Sequence, residues 1–174
     1  MGTFMKIVLT RKEFEHLDHD TLAWSCIAHI AQALRGKDPE TKNEVYRWLS
    51  PGQQAAFLFY AFHNHIHSPA EIYGFTVYFI ADLQSWPALK GHVAGLEDPR
   101  MTEIYSRLEL LAESSNRLPD GSWKDADLSD LERNGELAST AAELYEKYTA
   151  AAPHTIALIN AYVQCNPEEF VRWE

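Results

Sequence analysis

Pairs of a small polar residue followed by proline recur in this chain, and four of them mark places where a helix is predicted to begin. The side chain of the first residue accepts hydrogen bonds from backbone N–H groups that have no partner in the first helical turn. Proline is tolerated at the next position because its missing N–H would have no helical partner there. The pairs predict helix starts at Ser50-Pro51, Ser68-Pro69, Asp98-Pro99 and Asn166-Pro167.

A reciprocal hydrogen-bond pattern, the capping box, strengthens several predicted helix starts. It needs a capping residue followed three positions later by Glu or Gln. The sequence fits this pattern at residues 10–13 and 68–71, and residues 166–169 are a looser version with Asn166 as the cap. Helices are therefore expected to begin at these three places.

The apolar residues between these starts recur at spacings of three and four, the pattern of one face of a helix. No run of strict alternation is bounded by hairpin turns, and Met5 to Leu9 could be a short strand without a partner. We expect longer helices at about 19–35, 51–66, 69–84, 99–116, 129–149 and 154–165, and shorter helical pieces at about 10–17, 39–48, 86–94 and 167–173.

Two helices of this set, about 51–66 and 69–84, are apolar on nearly every face, which is typical of helices surrounded by other helices. They predict a buried central helical hairpin. The length of 174 residues suits one domain that can bury a proper core. We therefore predict an all-α fold, a single-domain helical bundle of about 7–9 helices over residues 1–174.

The negative charge is concentrated in the second half of the chain. The net charge is −10, and residues 1–87 contain seven basic and nine acidic side chains, whereas residues 88–174 contain eight and sixteen. Such a surface repels nucleic acid and anionic membranes and attracts basic proteins, although many proteins are this acidic for solubility alone. We expect a basic protein partner and no direct nucleic-acid binding.

The location of the protein can also be predicted from the sequence. No stretch of about 18 apolar residues is present, so no membrane-spanning helix is expected. The apolar run near the start is too short for a secretory signal and is followed at once by charge. Cys26 and Cys165 lie in helical patterns without a C-x-x-C spacing, which favours free thiols in a reducing compartment. These features predict a cytoplasmic protein with no membrane contact.

One long loop is predicted at residues 117–127, where Pro-Asp-Gly marks a tight turn. It contains a tryptophan, and an exposed tryptophan in a loop is typical of contact with another molecule. Acidic residues continue around the start of the next helix, where the helix dipole favours them. The predicted protein-binding surface consists of Trp123, Asp125, Asp127, Asp130 and Glu132.

Three histidines alternate along residues 62–71, FHNHIHSPAE. On a helix His63 and His67 are four residues apart and share one face, while His65 points roughly the other way. Glu71 follows at the next four-residue step, but its predicted task is to close a capping box. A catalytic zinc normally takes three protein ligands, so the pair needs a ligand from outside this stretch.

The metal hypothesis takes those ligands from the N-terminal helices, where His16, His19 and His29 lie. The chain would then be a metal-binding protein or a metal-dependent hydrolase, with His63 and His67 as ligands and a divalent metal such as zinc as cofactor. The alternative is that both histidines lie in the last turn of a helix, where the dipole favours them. That interpretation requires no cofactor.

Residues 49–83, LSPGQQAAFLFYAFHNHIHSPAEIYGFTVYFIADL, resemble the central part of a family of small all-α bacterial proteins. The family has a Leu-x-x-x-Gln opening, an apolar helix, and an Asn-Gly-Gly-Phe turn before an aromatic-rich helix. Residues 49–53 match the opening, and Gly74-Phe75 with Phe79 match the turn and the helix, whereas Ile72-Tyr73 stand where the family has Asn-Gly. One characterised type in the family is an acidic DNA-mimic protein. The resemblance implies an all-α dimer that acts by binding, with acidic side chains in place of phosphates.

Two functions are therefore expected. The first is a non-enzymatic interaction protein that binds another protein through an acidic surface, with nucleic-acid mimicry as one form of it. The second is metal binding or metal-dependent hydrolysis at His63 and His67. The sequence contains no nucleotide-binding glycine motif, no H-E-x-x-H and no G-x-S-x-G.

Overall fold

The structure, a computed structural model, describes residues 5–174 and confirms the all-α class. Nine α-helices lie within this part of the chain: α1 Arg11–Glu15, α2 Leu22–Ala33, α3 Pro39–Trp48, α4 Pro51–His63, α5 Pro69–Ala81, α6 Trp86–Gly95, α7 Pro99–Asn116, α8 Leu128–Arg133 and α9 Gly135–Cys165. The other regular elements are 3₁₀ helices at His19–Thr21 and Pro167–Glu169 and two strands, β1 Ile7–Leu9 and β2 Val171–Trp173.

Three of the four polar–proline pairs cap helices as predicted. The Ser68 hydroxyl accepts from the N–H of Glu71 at 3.2 Å, and the Asp98 carboxylate accepts from the third residue of α7 at 3.1 Å. The Ser50 hydroxyl accepts from the N–H of Gln53 at 3.2 Å, and the Gln53 amide oxygen accepts from the N–H of Ser50 at 3.1 Å. Local hydrogen bonding therefore fixes the starts of α4, α5 and α7.

The predicted capping boxes have three different outcomes. The box at Thr10 and Glu13 is confirmed, with both reciprocal bonds present. The box at Ser68 and Glu71 is half formed. The Ser68 hydroxyl accepts from the N–H of Glu71, but the Glu71 carboxylate accepts from the N–H of His67 at 2.7 Å, one residue before the cap. The box at Asn166 is wrong, because that side chain donates to a carbonyl in the last turn of α9 at 2.9 Å.

The prediction of two helices at 129–149 and 154–165 is wrong. The chain breaks at Asn134, whose backbone is extended and whose side chain accepts from the N–H of Leu137 at 3.1 Å. One helix then continues from Gly135 to Cys165 with Pro153 inside it. Pro153 is exposed, so water can hydrate the carbonyl that its missing N–H leaves without a partner.

The helical piece predicted at 167–173 is also wrong beyond residue 169, because Val171–Trp173 form a strand. This strand, β2, pairs in parallel with β1, which is the short strand suspected in the sequence. Ile7 lies opposite Val171 and Leu9 opposite Trp173. The partner of β1 therefore comes from the other end of the described chain.

The chain forms two compact units. One, here called the terminal unit, contains the described residues up to Ala61 together with Ile156–Glu174; the other, the middle unit, contains Phe62–Thr155. The prediction of a single domain over residues 1–174 stays a prediction. Within α4 and α5 every residue except Pro51 is buried or half-buried, as predicted for the central pair of helices.

In the terminal unit, a side chain of α9 caps α2. The Asn160 amide oxygen accepts from the N–H of Ala23 at 2.9 Å, and its nitrogen donates to the carbonyl of Asp20 at 3.0 Å. Thr21, the residue before α2, makes no capping bond with its own side chain. A distant residue therefore supplies the polar partner that the local sequence lacks.

Gly52 allows a close approach between the start of α4 and the C-terminal segment. Its N–H donates to the Glu169 carboxylate at 2.6 Å, and the same carboxylate accepts from the Tyr162 hydroxyl at 2.6 Å. The hydrogen bond to Glu169 raises the pKa of Tyr162 to about 12. A Cβ atom on Gly52 would lie 2.6–2.8 Å from atoms of Tyr162, Glu169 and Phe170.

In the middle unit, Phe62 lies at the centre of an aromatic core. Its ring contacts those of Phe79, Trp86, Tyr105 and Tyr148 edge-on, with centroids 5.4–5.8 Å apart. Edge-to-face contacts of this kind add to the stabilisation from burying apolar area. The helices that carry these rings position the side chains described below.

We predict that Gly52→Ala destabilises the protein by about 1–3 kcal/mol, because the new methyl group would overlap packed side chains. Gly74→Ala is the matched control, since a Cβ there would meet nothing within 4 Å in α5. That variant should be neutral or more stable, because alanine favours a helix over glycine. Urea unfolding of both variants measures the difference, and equal stabilities would contradict the close approach at Gly52.

Candidate functional site

The three alternating histidines lie at the corner between α4 and α5. His63 is the last residue of α4, and its Nδ1 lies 2.9 Å from the Tyr148 hydroxyl. The Nε2 of His67 lies 3.0 Å from the carbonyl of Asn64, so it acts as the donor. The His65 ring packs on another face, 4.7 Å from the Phe75 ring between centroids.

Within residues 5–174, no group of three or more His, Cys, Asp or Glu side chains is placed to hold a metal ion. The N-terminal histidines that were expected to complete the site have other contacts. His16 hydrogen-bonds to the carbonyl of Lys12, His19 to Gln164, and His29 to the carbonyl of Met5. Metal binding by His63 and His67 stays a prediction.

Trp123 does not have the exposed position that was predicted for it. It is half-buried and packs against a cluster of five buried side chains. These are Tyr73, Val77, Ala112, Leu137 and Ala141. The Arg117 guanidinium lies over the Trp123 ring, 5.3 Å from its centroid. Trp123 therefore anchors the 117–127 loop to the helices of the middle unit.

Two of the predicted acidic residues form the start of α8. Asp127 accepts from the N–H of Ser129 at 2.8 Å, and Asp130 accepts from the N–H of Asp127 at 2.9 Å. These backbone hydrogen bonds lower the pKa of both carboxyl groups. Both side chains are therefore charged at neutral pH and act as helix caps, as was expected for acids at a helix start.

Asp130 also belongs to a polar network that holds the loop. The Tyr73 hydroxyl lies 2.8 Å from Oδ1 of Asn116 and 3.0 Å from Oδ2 of Asp130. The Asn116 amide donates to the carbonyl of Lys124 at 3.0 Å, and the Lys124 ammonium lies 3.0 Å from Asp130. Burial is the largest cause that raises the pKa of Tyr73 to about 12. The network joins α5, the end of α7, the loop and α8.

Asp125 and Glu132 complete the predicted surface. Both are exposed, and neither forms an ion pair within residues 5–174. The structure thus divides the five predicted residues by their contacts. Trp123 and Asp130 have packing or hydrogen-bond partners in the middle unit, Asp127 caps a helix from an exposed position, and Asp125 and Glu132 face solvent.

An open groove of about 900 Å³ lies next to this surface, between α7 and α9. Residues 107–115 of α7 form one wall and residues 136–144 of α9 form the other, while Tyr73 and Asp130 also reach it. The Arg107 guanidinium contacts the Glu143 carboxylate at 3.0 Å. Because the start of the α7 wall is thereby joined to the end of the α9 wall, the two walls run antiparallel.

The groove was not predicted from the sequence, although one residue carried a signal for it. Leu110 lies in α7 but outside the apolar stripe of that helix, and it is 63% exposed. A leucine outside the core-facing stripe indicates an apolar surface. The polar lining, such as Ser114 and Thr140, is indistinguishable in the sequence from ordinary solvent-exposed positions.

No family model, curated protein or solved structure matches this chain. None of the helices within residues 5–174 is long and apolar enough to cross a bilayer.

The stability of the protein should depend on the protonation of His63. Burial, and then the nearby charge of His67, lower the pKa of His63 below its usual 6.5. His63 therefore binds protons more readily in the unfolded chain than in the folded protein. The contribution of neutral His63 to the free energy of unfolding is present above pH 6.5 and is lost as the pH falls through the folded-state pKa. We predict that His63→Gln loses less unfolding free energy than the wild type between about pH 7.5 and about pH 5.

Urea unfolding at the two pH values measures this difference. His65→Gln is the control, because His65 is exposed and lies two residues beyond the end of α4, where its ring packs against Phe75. It should keep the pH dependence of the wild type. A His63→Gln variant with unchanged pH dependence would show that His63 is not held in its neutral form.

Proposed function

We propose that this protein acts by binding a basic protein partner through the acidic surface around α8, and not by catalysis. The observation that supports this proposal most is the imbalance of charge there. Residues 120–136 contain six acidic and two basic side chains. Asp125 and Glu132 are exposed, and no ion pair of the described residues neutralises them. Exposed carboxylates of this kind attract a basic partner and orient it.

Asp127 adds to the same surface, because it is exposed and capping α8 does not remove its charge. Asp130 contributes less to it. Its side chain is 11% exposed and its charge is paired with Lys124. The carboxylates available to a partner are therefore those of Asp125, Asp127 and Glu132, with Trp123 acting through the position of the loop.

Apolar side chains are also exposed on α7, in the 117–127 loop and on α8. Leu110, Leu118 and Leu128 are 63%, 43% and 69% exposed, and they make up three of the five large hydrophobic side chains that are exposed within residues 5–174. Protein interfaces combine apolar contacts with a polar rim. A basic partner that also carries apolar side chains suits such a surface better than a purely ionic one.

Nucleic-acid mimicry is the particular form of this function that the resemblance of residues 49–83 implies. A protein that binds phosphates through Lys and Arg can bind carboxylates with the same side chains, because both contacts are charge-assisted hydrogen bonds. In this form the chain is a cytoplasmic dimer whose partner is a nucleic-acid-binding protein. Metal-dependent chemistry at His63 and His67 has less support, since no third ligand joins them within the described chain.

A pull-down from bacterial lysate tests the proposal. We expect basic proteins to bind at about 50 mM salt and to be released at about 500 mM, because screening weakens contacts between exposed charges. Asp125→Asn combined with Glu132→Gln should lower their recovery by about five-fold, the effect of losing about 1 kcal/mol. Glu15→Gln combined with Glu44→Gln is the control, because it removes two exposed charges elsewhere.

Two results would contradict the proposal. Partners retained unchanged at high salt would show that exposed charges do not govern the binding. An equal loss of recovery in both double variants would show that net charge matters, but not the surface around α8.

A further inference from the structure

The groove between α7 and α9 has the dimensions of a small-molecule site. Its volume of about 900 Å³ lies within the range of about 300–1,000 Å³ that is typical of such sites. Its walls run from Arg107 to Ser115 and from Glu136 to Leu144, which at about 1.5 Å per residue corresponds to about 12 Å on each side. The groove is open to solvent, so a ligand can enter it directly.

Apolar side chains line much of the groove. Leu137 and Leu144 are buried, Leu111 is half-buried, and Leu110 lies on the α7 wall with 63% of its surface exposed. Covering such a leucine removes apolar area from water. The groove therefore favours a ligand that has an apolar body.

The lining also contains three cations and two carboxylates, and part of this charge is paired within the protein. The Lys124 ammonium contacts the Asp130 carboxylate at 3.0 Å. Arg107 contacts the Glu143 carboxylate at 3.0 Å, and Lys147 contacts the same carboxylate at 2.8 Å. These contacts leave one cation and one carboxylate of the lining for a ligand.

The two remaining charges are those of Arg133 and Glu136. Both side chains are exposed, and neither forms an ion pair within residues 5–174. Arg133 is the last residue of α8 and Glu136 the second of α9, so both lie where the α9 wall begins. A purely anionic ligand would be repelled by Glu136 at this end, and a purely cationic one by Arg133. A head group that has both signs of charge complements both residues.

We propose that the groove binds a zwitterionic small molecule with an apolar body, namely a free amino acid that has a large apolar side chain. The carboxylate of the ligand contacts Arg133, its ammonium contacts Glu136, and its side chain covers Leu110. Asp125 does not line the groove, and neither does Glu132. This site is therefore separate from the exposed acids that the proposed function uses.

The amino acid biphenylalanine serves as the probe, because its two linked rings form an elongated apolar side chain. Its N-acetyl derivative has the carboxylate alone, and its carboxamide has the ammonium alone. Isothermal titration calorimetry of the full chain gives the affinity for each compound. We expect the zwitterion to bind about five-fold more tightly than either derivative, because each derivative loses one charge contact.

Two substitutions assign the two charge contacts. Arg133→Gln should lower the affinity for the zwitterion and for the N-acetyl derivative by about five-fold and should not weaken binding of the carboxamide. Glu136→Gln should lower the affinity for the zwitterion and for the carboxamide by the same factor and should not weaken binding of the N-acetyl derivative. Arg100→Gln and Glu132→Gln are the matched controls, because both residues are exposed and neither lines the groove. They should leave every affinity within about two-fold of the wild type.

A third substitution tests the apolar contact. Leu110→Ser should weaken binding of all three compounds by about five-fold, because it acts on the body that they share. Leu128→Ser is its control, since Leu128 is 69% exposed and does not line the groove. All of the substituted residues are exposed, so the variants should fold, and their melting temperatures verify this.

Three results would overturn the proposal. These are an equal affinity for the three compounds, an equal effect of Arg133→Gln on the zwitterion and on the carboxamide, and the absence of binding by all three compounds. None of them changes the result expected for Asp125 and Glu132 in the pull-down. A failure here is therefore distinct from a failure of the proposed function.

Discussion

The position of the candidate surface depends on the carboxylate of Asp130. It accepts from the N–H of Asp127 and lies within hydrogen-bond distance of the Tyr73 hydroxyl and the Lys124 ammonium. The contact with Lys124 contributes little, because that side chain is 53% exposed and exposed ion pairs are worth at most about 1 kcal/mol. The contact with Tyr73 is part-buried and holds α8 against α5, whereas the contact with Asp127 caps α8 from within the helix start. The groove and the exposed acids follow from that placement, since α8 joins the 117–127 loop to α9.

Features encoded by neighbouring residues were predictable from the sequence, and features that depend on distant partners were not. Ser50, Ser68 and Asp98 cap helices through residues three positions away, so their roles follow from local spacing. The strand β2 needed β1 from the other end of the described chain, and Asn160 caps α2 over 137 residues. The acids at residues 125–132 were identified by composition, but only tertiary contacts separate the anchored Asp130 from the exposed ones. The groove depends on two helix walls that no local pattern relates.

The difference between the anchored residues and the exposed acids bears on how the candidate surface could bind a partner. A surface that binds a partner by charge needs carboxylates that are both available and fixed in place, because flexible charges lose entropy on binding. Trp123 and Asp130 hold the loop and α8, while Asp125, Asp127 and Glu132 remain exposed. The anchored residues therefore limit the motion of the exposed ones. In the same way, the α7 wall gives Leu110 a defined position in the groove.

The measurement that tests this account most directly is hydrogen exchange of Tyr73→Phe followed along the chain. Loss of the hydroxyl leaves Asn116 and Asp130 without its hydrogen bond and should cost about 1–3 kcal/mol of unfolding free energy. Exchange should accelerate more in residues 117–133 than in α6, whereas Tyr78→Phe, on the same helix, should show no such difference. Unchanged exchange at residues 117–133 in a destabilised Tyr73→Phe variant would contradict the claim that the Asp130 network positions the candidate surface.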